Sequence, residues 1–230
     1  MKTVAGGPNI TTNGLVLCLD AADPLSYPGS GTTWRDLSGN GKNGTLQNGP
    51  TFDSANGGSI VFDGINDVVN FGTGNTFFPL PQFTIDIWFK SGGTVPVTGT
   101  RPGLFGFTYG LRAILYSTYL NFGVDNGTDL NQISTLGTIP FMSGEWFNVV
   151  FYHTGTELGI YVNGILNRSV SRTWSGTSRW PTNSWHLGRD NNNSYQFFKG
   201  EIPIYRMYNR VLSADEILQN YNATKTRFEL

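Results

Sequence analysis

The sequence predicts an all-β protein, a two-sheet antiparallel sandwich with one short C-terminal helix. Three observations carry this. From Leu15 onward, short apolar or alternating runs recur with Gly, Asn, Asp or Pro between them. Asn163-Gly164 stands between two β-rich runs, the composition of a tight hairpin. Charged residues make up only 13% of the chain while glycines number 30 and aromatics reach 14%, the balance of a turn-rich protein with a neutral surface of amides and hydroxyls. One sandwich core accommodates 230 residues, so a single domain is expected over 13–230, preceded by a polar arm at 1–12.

In chain order, the pattern places strands at 15–20, 59–63, 68–71, 83–90, 104–107, 119–124, 146–153, 158–162, 165–170 and 202–208. Within 83–90 the alternation sets Phe83, Ile85, Ile87 and Phe89 on the inward face against Thr84, Asp86 and Lys90. Asn163 and Gly164 both tolerate positive φ, so a two-residue type I′ turn joins 158–162 to 165–170. Glycine-heavy stretches at 27–31, 36–44, 48–58 and 91–103 read as loops at the sandwich ends. Ser213-Ala-Asp-Glu216 has capping-box spacing, with Leu212 positioned to staple onto Ile217. The helix it starts is expected to reach about Tyr221 and to bury Ile217, Leu218 and Tyr221.

Charge and cysteine usage narrow the partners. A formal net charge of -1 and a pI near 6.1 supply no basic field for a phosphate backbone, which argues against nucleic acid. No apolar run has the length of a membrane span, so membrane insertion is not expected. The polar first ten residues lack the core of a secretory signal, which fits cytoplasmic synthesis. The single cysteine, Cys18, lies in the apolar run Leu15-Val16-Leu17-Cys18-Leu19 and reads as a buried small hydrophobe.

The order of the motifs resembles a known family. Ile60-Val61-Phe62-Asp63-Gly64-Ile65-Asn66-Asp67, then Glu145-Trp146-Phe147-Asn148-Val149-Val150, then Tyr161-Val162-Asn163-Gly164 are followed by Leu187-Gly188-Arg189, Gly200-Glu201-Ile202 and Leu212-Ser213-Ala214-Asp215-Glu216-Ile217. Together they are similar to laminin G-like and pentraxin-like domains of the concanavalin A-like superfamily. The resemblance implies a two-sheet jelly roll of about a dozen strands. The segment from Asn13 to Ala22, with Trp34-Arg35-Asp36-Leu37-Ser38-Gly39-Asn40-Gly41, also looks like stand-alone lectin-like domains in virion proteins of tailed phages.

That superfamily includes glycoside hydrolases, whose retaining members carry alternating acidic residues on one strand to supply nucleophile and acid. No such strand occurs in this sequence, and His153 and His186 sit in apolar strand contexts without a nucleophile elbow, so no catalytic residues are assigned. Calcium stays open at two places by analogy with pentraxin-like loops: Arg189 to Asn193, with one carboxylate, and Asp63, Asn66 and Asp67, which equally suit a tight turn. The expectation is no resident cofactor.

For sugar binding, an aromatic face beside amide or guanidinium groups is the useful chemistry. The segment from Arg172 to Trp185 is dense in both and reads as a loop. Arg172, Trp174, Arg179 and Trp180, with Asp190, Asn191, Asn192 and Tyr195, are the candidate ligand-binding residues, forming one exposed rim. Trp34, Trp88 and Trp146 are assigned to packing. The expected function is a non-enzymatic recognition module for a glycan or protein surface, in a virion tail, fibre or capsid decoration. A purely structural assembly protein meeting other virion subunits, or a homo-oligomer, is the alternative, with a glycoside hydrolase third.

Overall fold

The structure is a computed structural model that describes residues 9–73, 82–93, 101–106, 110–125, 130–172, 184–189 and 197–230. The strands run β1 (Leu15–Asp20), β2 (Thr33–Trp34), β3 (Gly44–Gln47), β4 (Thr51–Asp53), β5 (Ser59–Asp63), β6 (Val68–Thr73), β7 (Phe83–Ser91) and β8 (Gly103–Gly106). They continue with β9 (Leu111–Leu115), β10 (Leu120–Asp125), β11 (Leu130–Ser134), β12 (Trp146–His153), β13 (Glu157–Val162), β14 (Ile165–Ser171), β15 (Ser184–Leu187) and β16 (Lys199–Tyr208). Helix α1 (Ala214–Thr224) and a short 3-10 turn (Lys225–Phe228) follow.

Two eight-stranded antiparallel sheets form. The first has the order β14-β13-β12-β7-β16-β5-β4, with β1 also on β16; the second runs β11-β10-β9-β8-β15-β6-β3-β2. Phe83, Ile85, Ile87 and Phe89 point between the sheets and are fully buried, as the alternation requires. Phe83 meets Phe122 of the second sheet edge-on at 6.4 Å, and beside it Phe151 of β12 packs on Phe122 at 4.8 Å and meets Phe105 edge-on at 5.4 Å.

All ten strands expected from sequence are present, Leu15–Asp20, Ser59–Asp63 and Trp146–His153 with the expected limits. The six that the pattern missed are β2, β3, β4, β9, β11 and β15, none longer than five residues. Runs that short carry too few alternations to stand out from loops. At the hairpin, Asn163 and Gly164 have φ of 50° and 79°, as a type I′ turn demands. Gly159 is needed for another reason, because a Cβ there would sit 2.0 Å from the Tyr152 ring.

The capping box is formed: Glu216 N donates to Ser213 Oγ and Ser213 N donates to Glu216 Oε2. Leu212 and Ile217 share one apolar cluster with Val150 and Tyr208. The helix runs three residues past the expected end, and its buried face is Ile217, Asn220 and Thr224, with Tyr221 half-buried. Leu218, expected to be buried, is 44% exposed. Positions 217, 220, 221 and 224 share a face at helical spacing, and residue 218 turns away from it.

That face covers the outer side of the first sheet, so the side of β7 opposite the core is also closed to solvent. Thr84, Asp86 and Trp88 are fully buried. Trp88 stacks on Phe228 at 4.2 Å and on Tyr221 at 5.7 Å, and half-buried Trp146 packs on Phe228 at 4.7 Å. Asp86 accepts from Arg206 at 3.1 Å and from Asn148 at 2.7 Å. Asn220 donates to Tyr208 Oη at 2.9 Å and accepts from the Thr11 amide at 2.8 Å, which ties the end of the polar arm to the helix. Cys18 is buried beside this network, and burial pushes its thiol up to about 11, so it is protonated and inert.

In the second sheet, Trp185 and Leu187 of β15 point into the core and His186 between them faces outward, yet His186 is only 8% exposed. Burial, and then the Arg189 cation, press its imidazole down to about 4. His153 is likewise buried, its ring 5.5 Å from Phe83.

Two outcomes follow. Asp86→Ala strands a buried guanidinium and is expected to lower stability in urea unfolding by about 3–5 kcal/mol. Glu201→Gln keeps an acceptor for Ser59 and removes only the Lys90 ion pair, so its cost is expected at about 1 kcal/mol or less. The second concerns pH. The unfolded chain protonates His186 near its ordinary value of about 6.5 and so holds more protons than the folded chain below it. Stability is therefore complete above that value and falls as pH drops towards 4, by up to about 3 kcal/mol. Melting curves of wild type and His186→Gln across this window should show a shallower loss in the variant.

Candidate functional site

Of the residues expected to bind ligand, Trp174, Arg179, Trp180, Asp190, Asn191, Asn192 and Tyr195 lie outside the described residues. Arg172, just past β14, is exposed; its amide donates to the Thr156 carbonyl at 2.7 Å and its Nη2 to the Gln132 carbonyl of β11 at 3.0 Å. The side chain therefore stitches the edges of the two sheets together. Trp185, which ended the segment read as a loop, is a fully buried core residue of β15. Its burial follows from the alternation of β15, which a run of four residues does not reveal on its own.

β15 separates the roots of the two candidate segments. Residues 173–183 lead into Ser184, which pairs with Thr73 at the far end of β6, whereas residues 190–196 depart from the bridge between Arg189 and Phe197, beyond Leu187 and its partner Val69. The extended chain of β15 from Ser184 to Leu187 alone spans roughly 10 Å between them. The Arg189 guanidinium lies over the Phe197 ring at 5.8 Å.

Asp63 and Asp67 act as turn formers. Asp63 Oδ1 accepts from the amides of Ile65 at 2.7 Å and Asn66 at 3.2 Å, and Asp67 Oδ2 accepts from the Asp63 amide at 2.9 Å. Burial raises the Asp67 carboxyl above its ordinary range. Among the described residues, no three His, Cys, Asp or Glu side chains cluster as a metal site.

A polar arrangement that no local pattern announces lies on the outer face of the second sheet. Cross-strand pairing sets Thr45, Asn70, His186, Gly106, Arg112, Gly123 and Gln132 in one row. Each borders side chains that point into the core, such as Leu46, Val69, Leu187, Phe105, Ala113, Phe122 and Ile133, so the row faces outward. Six interstrand steps carry it across roughly 29 Å. It combines hydroxyl, amide, neutral imidazole and guanidinium groups, contains no carboxylate, and is interrupted by two glycines. A second row holds buried Asn121, whose Nδ2 donates to Ser134 Oγ at 3.0 Å.

At the turn between β9 and β10, the rings of Tyr116 and Tyr119 stack with centroids 4.1 Å apart, and the Arg101 guanidinium lies 5.3 Å from the Tyr116 centroid. Both tyrosines are half-buried and Arg101 is exposed. The i, i+3 tyrosines around Ser117-Thr118 were the one sequence signal for this cluster.

The carboxylates with resolved partners are occupied elsewhere. Asp20 pairs with Arg227, Asp86 with Arg206, Glu201 with Lys90 and Glu216 with Arg210. Asp36 accepts from the amides of Cys18, Ser38 and Lys42, and Glu157 accepts from the Tyr152 hydroxyl.

The architecture is shared with solved structures of low sequence identity. The binding domain of Paraclostridial Mosquitocidal Protein 1 superimposes with a TM-score of 0.75 at 16% identity, over 92% of this chain and 52% of that one. The receptor binding domain of botulinum neurotoxin C/D mosaic serotype gives 0.72 at 12% identity, over 92% and 51%. Domain 4 of AbnA, a GH43 extracellular arabinanase from Geobacillus stearothermophilus, solved in complex with arabinotriose, gives 0.68 at 18% identity, over 90% and 98%. The chain thus spans about half the length of the two toxin binding domains and nearly all of the arabinanase domain. No curated protein matches the sequence. A laminin G-type family described as the concanavalin A-like lectin/glucanases superfamily matches residues 62–218, and with the two-sheet sandwich in place the chain belongs to that superfamily.

Proposed function

We propose that the chain is a non-enzymatic carbohydrate-binding module whose ligand lies on the outer face of the second sheet. The observation that carries this reading is the row from Thr45 to Gln132, whose exposed or half-buried members Thr45, Asn70, Arg112 and Gln132 offer donors and acceptors to hydroxyl groups and which holds no carboxylate to act as nucleophile or acid. The arabinanase domain, similar over nearly its whole length, supports it as a fold of this kind holding an oligosaccharide. Trp174 and Trp180, with Arg172, Arg179, Asp190, Asn191, Asn192 and Tyr195, are of the residue types that supply stacking and hydrogen bonds to such a ligand. The module works without a resident metal.

A finer proposal makes it a virion component of a tailed phage, in a tail, fibre or capsid decoration, meeting other virion subunits or copies of itself. The likeness of Asn13 to Ala22 and of Trp34 to Gly44 to such domains supports this. An antibody against the chain should label particles isolated from its source, and unlabelled particles would remove the virion role alone.

On a broad glycan array, the purified protein is expected to bind at least one saccharide, and chelation with EDTA should leave that binding unchanged. Trp174→Ala combined with Trp180→Ala should weaken it about tenfold, the scale of losing one stacked ring pair. A blank array would leave the structural assembly reading in its place.

A further inference from the structure

β11 ends the second sheet and β14 ends the first, each paired with a single neighbour among the described residues, and the two edges are finished differently. An edge strand presents unpaired N–H and C=O groups to which another strand can add, and charged side chains, proline and bulges discourage that addition. β14 carries Arg168 and a bulge at Asn167, between the pairs Ile160 with Arg168 and Tyr161 with Leu166. β11, Leu-Asn-Gln-Ile-Ser, has no charge and no proline, and its register with β10 runs without a bulge.

Side chains of β14 and of the residue after it close the β11 edge instead. Arg172 Nη2 donates to the Gln132 carbonyl at 3.0 Å and Arg168 Nη1 to the Ser134 carbonyl at 3.2 Å. The Asn167 side chain accepts from the Leu136 amide at 2.7 Å and donates to the Leu136 carbonyl at 3.3 Å. A bulged residue is free to aim its side chain off the ladder, which is how Asn167 reaches Leu136. Thr135 N donates to the Leu120 carbonyl at the start of β10, so residues 132, 134 and 136, which alternate with it, turn their N–H and C=O groups away from β10. That is the direction from which a further strand would arrive. The contacts advance along β14 as they retreat along β11, the order that an antiparallel neighbour would follow. Neither arginine joins an ion pair among the described residues, so both serve backbone carbonyls and not a carboxylate.

We infer that Asn167, Arg168 and Arg172 form a clasp that keeps a second copy of this chain from adding to β11, and that β11 pairs with its own counterpart once the clasp is removed. The strand itself identifies the occupant. Two copies of β11 laid antiparallel about a two-fold axis set no like charges opposite each other, and each offers the other the same outward N–H and C=O groups. Facing sheets stand about 10 Å apart, so closing this edge from the first sheet takes long side chains. Such side chains swing away without disturbing either ladder.

Sedimentation velocity of the whole chain over a range of concentrations tests this. Asn167→Ala combined with Arg168→Ala and Arg172→Ala is expected to self-associate at concentrations about tenfold below those that wild type needs. Losing two cations makes a chain of net charge -1 more negative, which opposes non-specific association. Adding Gln132→Pro removes one outward N–H, spares the bonds to β10 and should return the variant to wild-type behaviour. If the triple variant does not fold, Arg172→Ala carries the test, because that side chain is exposed and bonds only to the Gln132 carbonyl among the described residues. Sedimentation that matches wild type at every concentration, or association that persists with Gln132→Pro, overturns the inference.

Discussion

The fold turns on one buried ion pair. Asp86 sits mid-strand in β7 on the side away from the sandwich core, a position that β alternation alone would leave facing water, and it is completely buried. Arg206 of β16 neutralises it, Asn148 of β12 satisfies a second lone pair, and Asn220 of α1 approaches from above at 3.4 Å. Three adjacent strands and the helix thus converge on one carboxylate. A charge in so dry a place is tolerable only with all of these partners, so the pairing of β12, β7 and β16 and the seating of α1 are mutually conditioned. Burial weighs most on the Arg206 guanidinium, but the coulombic pull of Asp86, added to that of its further neighbours, exceeds it and holds the group charged.

The outer side of the first sheet is closed in this way, and the polar row lies on the outer side of the second. Its inner side is committed by large aromatics, with Phe105, Phe122 and Trp185 fully buried. Because side chains alternate strictly, fixing those three fixes what lies on the other side: Gly106, Gly123 and His186. The outward row is in this sense the complement of the core. A one-residue slip in any of its strands would send Arg112 or His186 inward and break both at once.

Local signals were legible wherever a short stretch of chain decides its own conformation. Asn163-Gly164 made its turn, Ser213 and Glu216 made their box, and the long alternating strands fell where apolar periodicity put them. Short strands were not legible. β15 is four residues long and gains its identity from Gly106 and Asn70 on either side, so Trp185 looked like a loop aromatic. Leu218 looked like core because it follows Ile217, but the buried stripe of α1 was drawn by what lies beneath it, with Asn220 chosen by Tyr208 and Thr11.

The sequence by itself determined the fold class, the hairpin, the helix start and the membership implied by the order of those motifs, since each depends on propensities within a few residues. Tertiary structure alone decided that Arg112 lies between two glycines, that His186 is withdrawn from water and that the two candidate segments join the chain at opposite ends of β15. Those facts are matters of register between strands far apart in the chain. Register is settled by how two hydrophobic faces interdigitate across a sandwich, a property of the assembled core that no single segment carries.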